Sequence, residues 1–266
     1  MKIGFIGTGN MGGALARAAA KGGHTLLLAN RTPAKAAVLA KELGGTACQN
    51  AVAAEAAELL FLGVKPQGLP GLAEELAPVL QARKGNAPVV VSMATAVTLR
   101  ELDAMLGGGL PLIRIMPNTP AAVGAGTILY AAQNVTDAQL SAFRAVLAQA
   151  GLLLPLPEEK IDAASAISGC GPAFCFQFAD ALALGGVRAG LSYPDACRLA
   201  AQTMLGAAEM LLQGGEAPDV LKMRVCSPAG TTIEGVLALE QGGFSYTVQN
   251  AVTAAYRRTV EMTRKG

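Results

Sequence analysis

Tryptophan is absent from this chain, histidine occurs once, and charged residues make up only 15% of the 266 positions. With 52% hydrophobic residues and a mean hydropathy of +0.41, a large Ala/Leu/Val surface must be hidden in a membrane or between subunits. A membrane span is not expected, because Gly, Pro, Gln177 or Asp180 breaks each apolar run before the roughly 18 to 20 residues a bilayer requires. Nor is a cleavable signal expected, since the opening apolar segment is short and Gly4 and Gly7 interrupt it. A cytoplasmic oligomer is the consequence.

Metal-binding cysteine pairs are missing too. Cys48, Cys170, Cys175, Cys197 and Cys226 are odd in number and form no C-x-x-C, so neither a disulfide framework nor a metal site is expected. They read as packing residues of a reduced protein. A formal charge of +2 without a basic, aromatic-laced tract gives no footprint for nucleic acid. Arg257-Arg258 and Arg264-Lys265 read as a solvated helix face, and His24, ahead of the second expected strand, as a surface residue.

Glycine, by contrast, is placed with purpose. The apolar strand Lys2 to Ile6 runs into Gly7-Thr8-Gly9-Asn10-Met11-Gly12 and then an alanine-rich helical pattern. A G-x-G-x-x-G between a strand and a helix is the dinucleotide fingerprint in its required context. Gly7 permits the tight turn, Gly9 lets the backbone approach a pyrophosphate, and Gly12 lets the helix pack close to the strand. The anion then meets free N–H groups at the positive helix end.

A second apolar strand, Thr25 to Ala29, ends in Asn30-Arg31-Thr32-Pro33. An NAD enzyme places a carboxylate there, about 20 residues after the fingerprint, to bind the ribose 2′-hydroxyl. None is present. Arg31 offers a guanidinium fork and Asn30 and Thr32 neutral hydrogen-bonding groups, which suits a 2′-phosphate and predicts NADPH, with NADH less preferred.

Strand and helix alternate to about residue 155, which predicts a parallel sheet covered by helices. Strands are expected at Lys2–Ile6, Thr25–Ala29, near Thr46, Glu58–Val64, Val89–Ser92, Leu112–Ile115, Thr127–Tyr130 and Leu152–Leu156, with helices near 10–21, 33–43, 68–82 and 137–150. Thr136 is placed to cap the last of these. Pro155 and Pro157 suit an exit strand and a linker. Beyond Glu158 strand signals vanish and helices are expected near 160–168, 172–190, 194–214, 217–224, 229–240 and 243–263. The fold class is therefore α/β: a Rossmann-type dinucleotide-binding domain over 1–157, then an all-helical dimerisation and substrate domain over 158–266.

Further motifs fall at strand ends and helix starts: Val64-Lys65-Pro66-Gln67, Ser92-Met93-Ala94-Thr95, and Arg114-Ile115-Met116-Pro117-Asn118-Thr119-Pro120, whose prolines hold Asn118 and Thr119 in one conformation. Ser168-Gly169-Cys170-Gly171-Pro172-Ala173 leads into a helix. Ser227-Pro228-Ala229-Gly230-Thr231-Thr232 opens another, and such a start can hold a carboxylate.

Taken together these motifs resemble those of pyrroline-5-carboxylate reductase over essentially the whole chain. Cys170 and Ala229 depart from the family pattern, where Ser and Gly are usual. The resemblance implies NADPH-dependent reduction of L-1-pyrroline-5-carboxylate to L-proline, the last step of proline biosynthesis, by a homodimer that can build a larger ring, a decamer of dimers. It places cofactor contacts at Ile6, Gly7, Thr8, Gly9, Asn10, Met11, Asn30, Arg31, Thr32, Asn50, Val64, Lys65, Pro66, Gln67 and Ala94. It places the substrate carboxylate at Ala229, Gly230, Thr231 and Thr232, with Thr232 as catalytic residue facing the ring nitrogen. A helix cap explains Thr232 equally well. A β-hydroxyacid dehydrogenase shares the layout but uses a lysine after the linker, and Ile161 to Val187 contains none. A protein that binds NADP without turnover is the non-enzymatic alternative.

Overall fold

The computed structural model describes residues 1–83 and 85–263, so the Arg264-Lys265 pair lies outside the described residues. The chain divides into two compact units, Met1–Gly169 joined by the segment from Tyr256, and Cys170–Ala255.

The first unit is built on strands β1 (Lys2–Ile6), β2 (Thr25–Ala29), β3 (Thr46–Ala47), β4 (Leu59–Leu62), β5 (Val89–Ser92), β6 (Leu112–Pro117), β7 (Gly126–Gln133) and β8 (Gly151–Pro155). Between and after them run helices α1 (Asn10–Ala20), α2 (Pro33–Leu43), α3 (Asn50–Ala56), α4 (Leu69–Ala82), α5 (Leu99–Met105), α6 (Asp137–Leu147) and α7 (Glu158–Ser168). The strands form one eight-stranded sheet in the order β3-β2-β1-β4-β5-β6-β7-β8. Its first six strands are parallel, so the sequence reverses between β1 and β4, the switch point where ligands bind such sheets. The expected all-parallel sheet does not extend to β7, which is antiparallel to β6. Only residues 118–125 join the two, and a parallel crossover needs about a dozen or more.

Both sheet faces are buried. Ile3, Phe5, Phe61, Val91 and Ile113 pack on one face with α1, α2 and α6, and Leu60, Leu62, Val90 and Leu112 on the other with α3, α4 and Ile161 of α7. Phe5 and Phe61 stack across β1 and β4 at 4.5 Å between ring centres. Such two-sided burial explains the near-continuous apolar strands.

Pro155 and Pro157 do end the exit strand, but no linker follows: Pro157 is the N-cap of α7. The break expected at 157 and the unit boundary after Gly169 bracket this helix. Buried Arg114 on β6 fastens it, with Asp162 at 2.6 Å and Glu158 at 3.4 Å. Glu158 also accepts the Leu99 N–H at 2.7 Å.

The second unit contains α8 (Gly171–Arg188), α9 (Tyr193–Gly214), α10 (Pro218–Arg224), α11 (Thr231–Gln241) and the start of α12 (Phe244–Thr263). Pro172, Pro194 and Pro218 sit in first turns as expected. Pro228 does not, and α11 starts at Thr231 because Ala229 adopts a left-handed backbone with φ +56°. Gly186 allows α8 to approach α9, since an added Cβ would lie 3.1 Å from Ala196 Cβ. Phe178 packs on Phe244, with ring centres 5.8 Å apart. By length and composition alone, Glu158–Arg188 is apolar enough to cross a membrane, contrary to the expectation. That stretch spans the turn at Gly169–Cys170, and its Ile161 and Ala166 are buried in the first unit.

Candidate functional site

The glycine turn between β1 and α1 is as tight as its sequence demands. Gly7 has φ +99°, and its N–H donates to Ala29 O at 2.8 Å. A Cβ on Gly12 would collide with the Gly7 carbonyl, and one on Gly7 with Gly63, whereas one on Gly9 would meet nothing within 4 Å. Gly7 and Gly12 thus let the backbone close up, and Gly9 leaves an open approach. Gly9 is the N-cap of α1 and no side chain caps it, so the first-turn N–H groups of Asn10 and Met11 remain for an anion.

Two clefts border this turn, both formed by the carboxyl ends of the parallel strands. The larger, about 680 Å³, is lined by Asn30 and Arg31 after β2, the first turns of α2, residues 47–50, and Glu75 of α4. Asn30 is fixed at both ends: Nδ2 donates to Thr8 Oγ1 at 2.8 Å, and Oδ1 accepts the Thr32 N–H at 2.9 Å. This turn presents Arg31, exposed and without a partner among the described residues. Cys48 lines the same cleft, and burial pushes its thiol above the usual range, so it is held protonated rather than reactive.

The smaller cleft, about 270 Å³, is lined by Met11, Gly63, Val64, Lys65, Pro66, Met93, Thr95, Met116 and Pro117. The ends of β4, β5 and β6 meet there beside the first turn of α1. Three methionines give it an apolar wall, with Lys65 and Thr95 as its polar groups. A cation-bearing cleft, an uncapped helix terminus and an apolar cleft in succession match the ribose phosphate, pyrophosphate and nicotinamide ends of a dinucleotide. The residues therefore fit the cofactor that the fingerprint implies.

Among the expected contacts, Met11, Asn30, Arg31, Asn50, Val64, Lys65 and Pro66 line these clefts, and Gly7 to Asn10 form the turn between them. Ile6 is buried beneath it at the end of β1. Thr32 is the N-cap of α2, and Gln67 lies in the short helical turn after Pro66, outside the lining of either cleft. Ala94 is buried, its N–H donating to Ser92 Oγ at 3.3 Å, and its neighbours Met93 and Thr95 reach the cleft instead. Asn118 is not presented to a ligand. Its Oδ1 accepts the Thr127 N–H and its Nδ2 donates to Ser168 O, both at 2.8 Å, which ties the end of α7 to the sheet. Met93, Thr95, Met116 and Pro117 fall in the strand-end motifs, whereas Glu75 carries no local motif and reaches its cleft only through the fold.

In the second unit, Ala229 and Gly230 form the turn before α11, and Thr231 and Thr232 its first, exposed residues. Gly230 is an N-cap without a side-chain bond, and a Cβ there would collide with Ser227 Oγ. This is a second uncapped helix terminus, flanked by two hydroxyls.

Comparison with known proteins agrees with this arrangement. Residues 158–262 match the pyrroline-5-carboxylate reductase dimerisation family, and residues 2–96 match the family of NADP oxidoreductases, coenzyme F420-dependent. A pyrroline-5-carboxylate reductase of Synechocystis is 41% identical over 81% of this chain and 79% of its own. Pyrroline-5-carboxylate reductase 3 of Macaca fascicularis is 35% identical over 99% of this chain and 97% of its own. Among solved structures, the enzyme from Coxiella burnetii superposes with a TM-score of 0.90 at 32% identity over 97% of each chain. The Plasmodium falciparum structure, with NADP bound, gives 0.86 at 29% identity over 99% of this chain and 98% of its own. Likeness that runs through nearly the whole chain places it in the pyrroline-5-carboxylate reductase family of oxidoreductases.

Proposed function

We propose that the protein reduces L-1-pyrroline-5-carboxylate to L-proline, the last step of proline biosynthesis, using NADPH in preference to NADH. The observation that carries this reading is the larger cleft: Arg31 is unpartnered at the end of β2, where an NAD enzyme would hold a carboxylate. The relatives' names support the substrate, and the NADP in the Plasmodium structure supports the cofactor. Asn10 and Met11 N–H groups hold the pyrophosphate, and the methionine-walled cleft excludes water from the nicotinamide. When bound, the nicotinamide supplies a hydride to the imine carbon.

A protonated imine is already electrophilic, so the chain needs mainly to position it. Ala229, Gly230 and Thr231 offer the α11 terminus to the substrate carboxylate. The Thr232 hydroxyl hydrogen-bonds the ring nitrogen, which carries its proton into the product amine. The apolar helical faces are covered by a second copy, as the dimerisation family implies, and the dimers assemble into a larger ring, a decamer of dimers. Five free cysteines accord with a cytoplasmic enzyme.

The test is loss of reduced-nicotinamide absorbance with racemic pyrroline-5-carboxylate, run with NADPH and NADH and beside a six-membered cyclic imine acid. Rapid NADPH loss yielding proline is expected. Nucleotide binding without turnover would sink the assignment.

A further inference from the structure

The larger cleft contains a carboxylate that the cofactor reading leaves without a role. Glu75 on α4 and Arg31 after β2 are the two charged residues in its lining, one of each sign. Glu75 Oε2 accepts Asn50 Nδ2 at 3.0 Å across the cleft wall. A carboxylate accepts and does not donate, so this bond dictates which end of the Asn50 amide meets Glu75 and leaves the Asn50 carbonyl oxygen for another donor. With the second Glu75 oxygen, the wall offers two acceptors and a negative charge opposite one unpaired cation.

Those features act in opposite directions on two ligands. A ribose 2′-phosphate carries nearly two negative charges at neutral pH, so it is attracted to Arg31 and repelled by Glu75. An unmodified ribose diol has no charge and has hydroxyl donors that suit a carboxylate and an amide oxygen. We propose that Glu75 is a specificity-determining residue: it fixes the Asn50 amide and holds the preference for the 2′-phosphorylated dinucleotide below the level Arg31 alone would set. This rests on reading the cleft as the adenosine end of the cofactor site. It gives a physical reason for one pocket to accept both NADPH and NADH.

The test is equilibrium binding of NADPH and NADH, followed by nicotinamide fluorescence, to the wild-type protein and to Glu75→Gln. The substitution removes the charge and keeps an acceptor for Asn50; Glu75 is exposed, so folding is not at stake. The ratio of NADPH to NADH affinity is expected to rise about three- to tenfold, as for one charge acting on a dianion through a largely solvated cleft. The rise should shrink near ~1 M salt, where screening extends to about 3 Å. A ratio that is unchanged or falls overturns the role of Glu75. A wild-type protein that prefers NADH but shows the same rise overturns the NADPH preference and leaves Glu75 in place. Failure of the wild type to bind either nucleotide overturns the reading of the cleft itself.

Discussion

The sheet unit buries its own apolar surface, and the helical unit does not. Strands β1, β4 and β5 have nearly every residue buried, and α1 adds seven buried positions. In α8 and α9 only Ala183, Ala196 and Ala200 are buried, while Phe176 is 70% and Leu212 80% exposed. The difference shows where the chain's high hydropathy resides. One half spends its apolar residues on a core, and the other, which matches a dimerisation family, holds them on exposed faces.

The largest effect that tests this contrast is a cavity in the self-contained half. Phe61→Ala removes a fully buried ring stacked on Phe5, and should cost about 3–5 kcal/mol whatever the protein concentration, measured by denaturant unfolding. The helical half should respond to concentration instead. For a dimer, dilution by about a hundredfold lowers stability by about 2.7 kcal/mol, and hydrogen exchange should rise in α8 to α12 before it rises in the sheet. Equal acceleration in both halves would show that the contrast in burial is not a contrast in stability.

Much of this division is legible in the sequence because it rests on local chemistry. The glycine turn, Thr136 at the start of α6 and the prolines of α8, α9 and α10 are where the residues put them; Thr136 accepts the Gln139 N–H in a capping box. Two short helices went unread. For α5 the signal was present, since Thr98 and Glu101 form the same box. Glu101 is held below the usual carboxylate range chiefly by its hydrogen bonds with Thr98. For α3 there was none: seven residues without a side-chain cap are held by tertiary packing. One cleft wall was hidden for the same reason, because Glu75 on α4 meets Asn50 on α3 only through the fold. The prolines around Asn118 signal one held conformation, but not that its amide ties backbone to backbone.

That tie supplies the next prediction. Asn118→Ala leaves the Thr127 N–H and the Ser168 carbonyl without their partner, and should cost about 1–3 kcal/mol. Asn118→Asp keeps an acceptor for Thr127 but cannot donate to Ser168. Its loss should fall between wild type and alanine, and faster hydrogen exchange should concentrate at the end of α7. An aspartate variant as damaged as the alanine one would assign the whole effect to α7.

The smallest expected effect compares the two halves through one substitution. Ala96, beside the methionine-walled cleft, and Ala229, ahead of α11, both adopt left-handed backbone, with φ +63° and +56°. An L-residue pays roughly 1–2 kcal/mol for that conformation, and glycine recovers it while losing roughly 0.4–1 kcal/mol through the freer unfolded chain. Either Ala→Gly change should therefore stabilise by about 0.5 kcal/mol, read as a small rise in denaturant midpoint. The strain is local, so the gain should be similar in the closed half and the open one. If Ala229→Gly destabilises while Ala96→Gly stabilises, the turn before α11 is held in place by contacts that the isolated chain lacks, and the second copy must supply them.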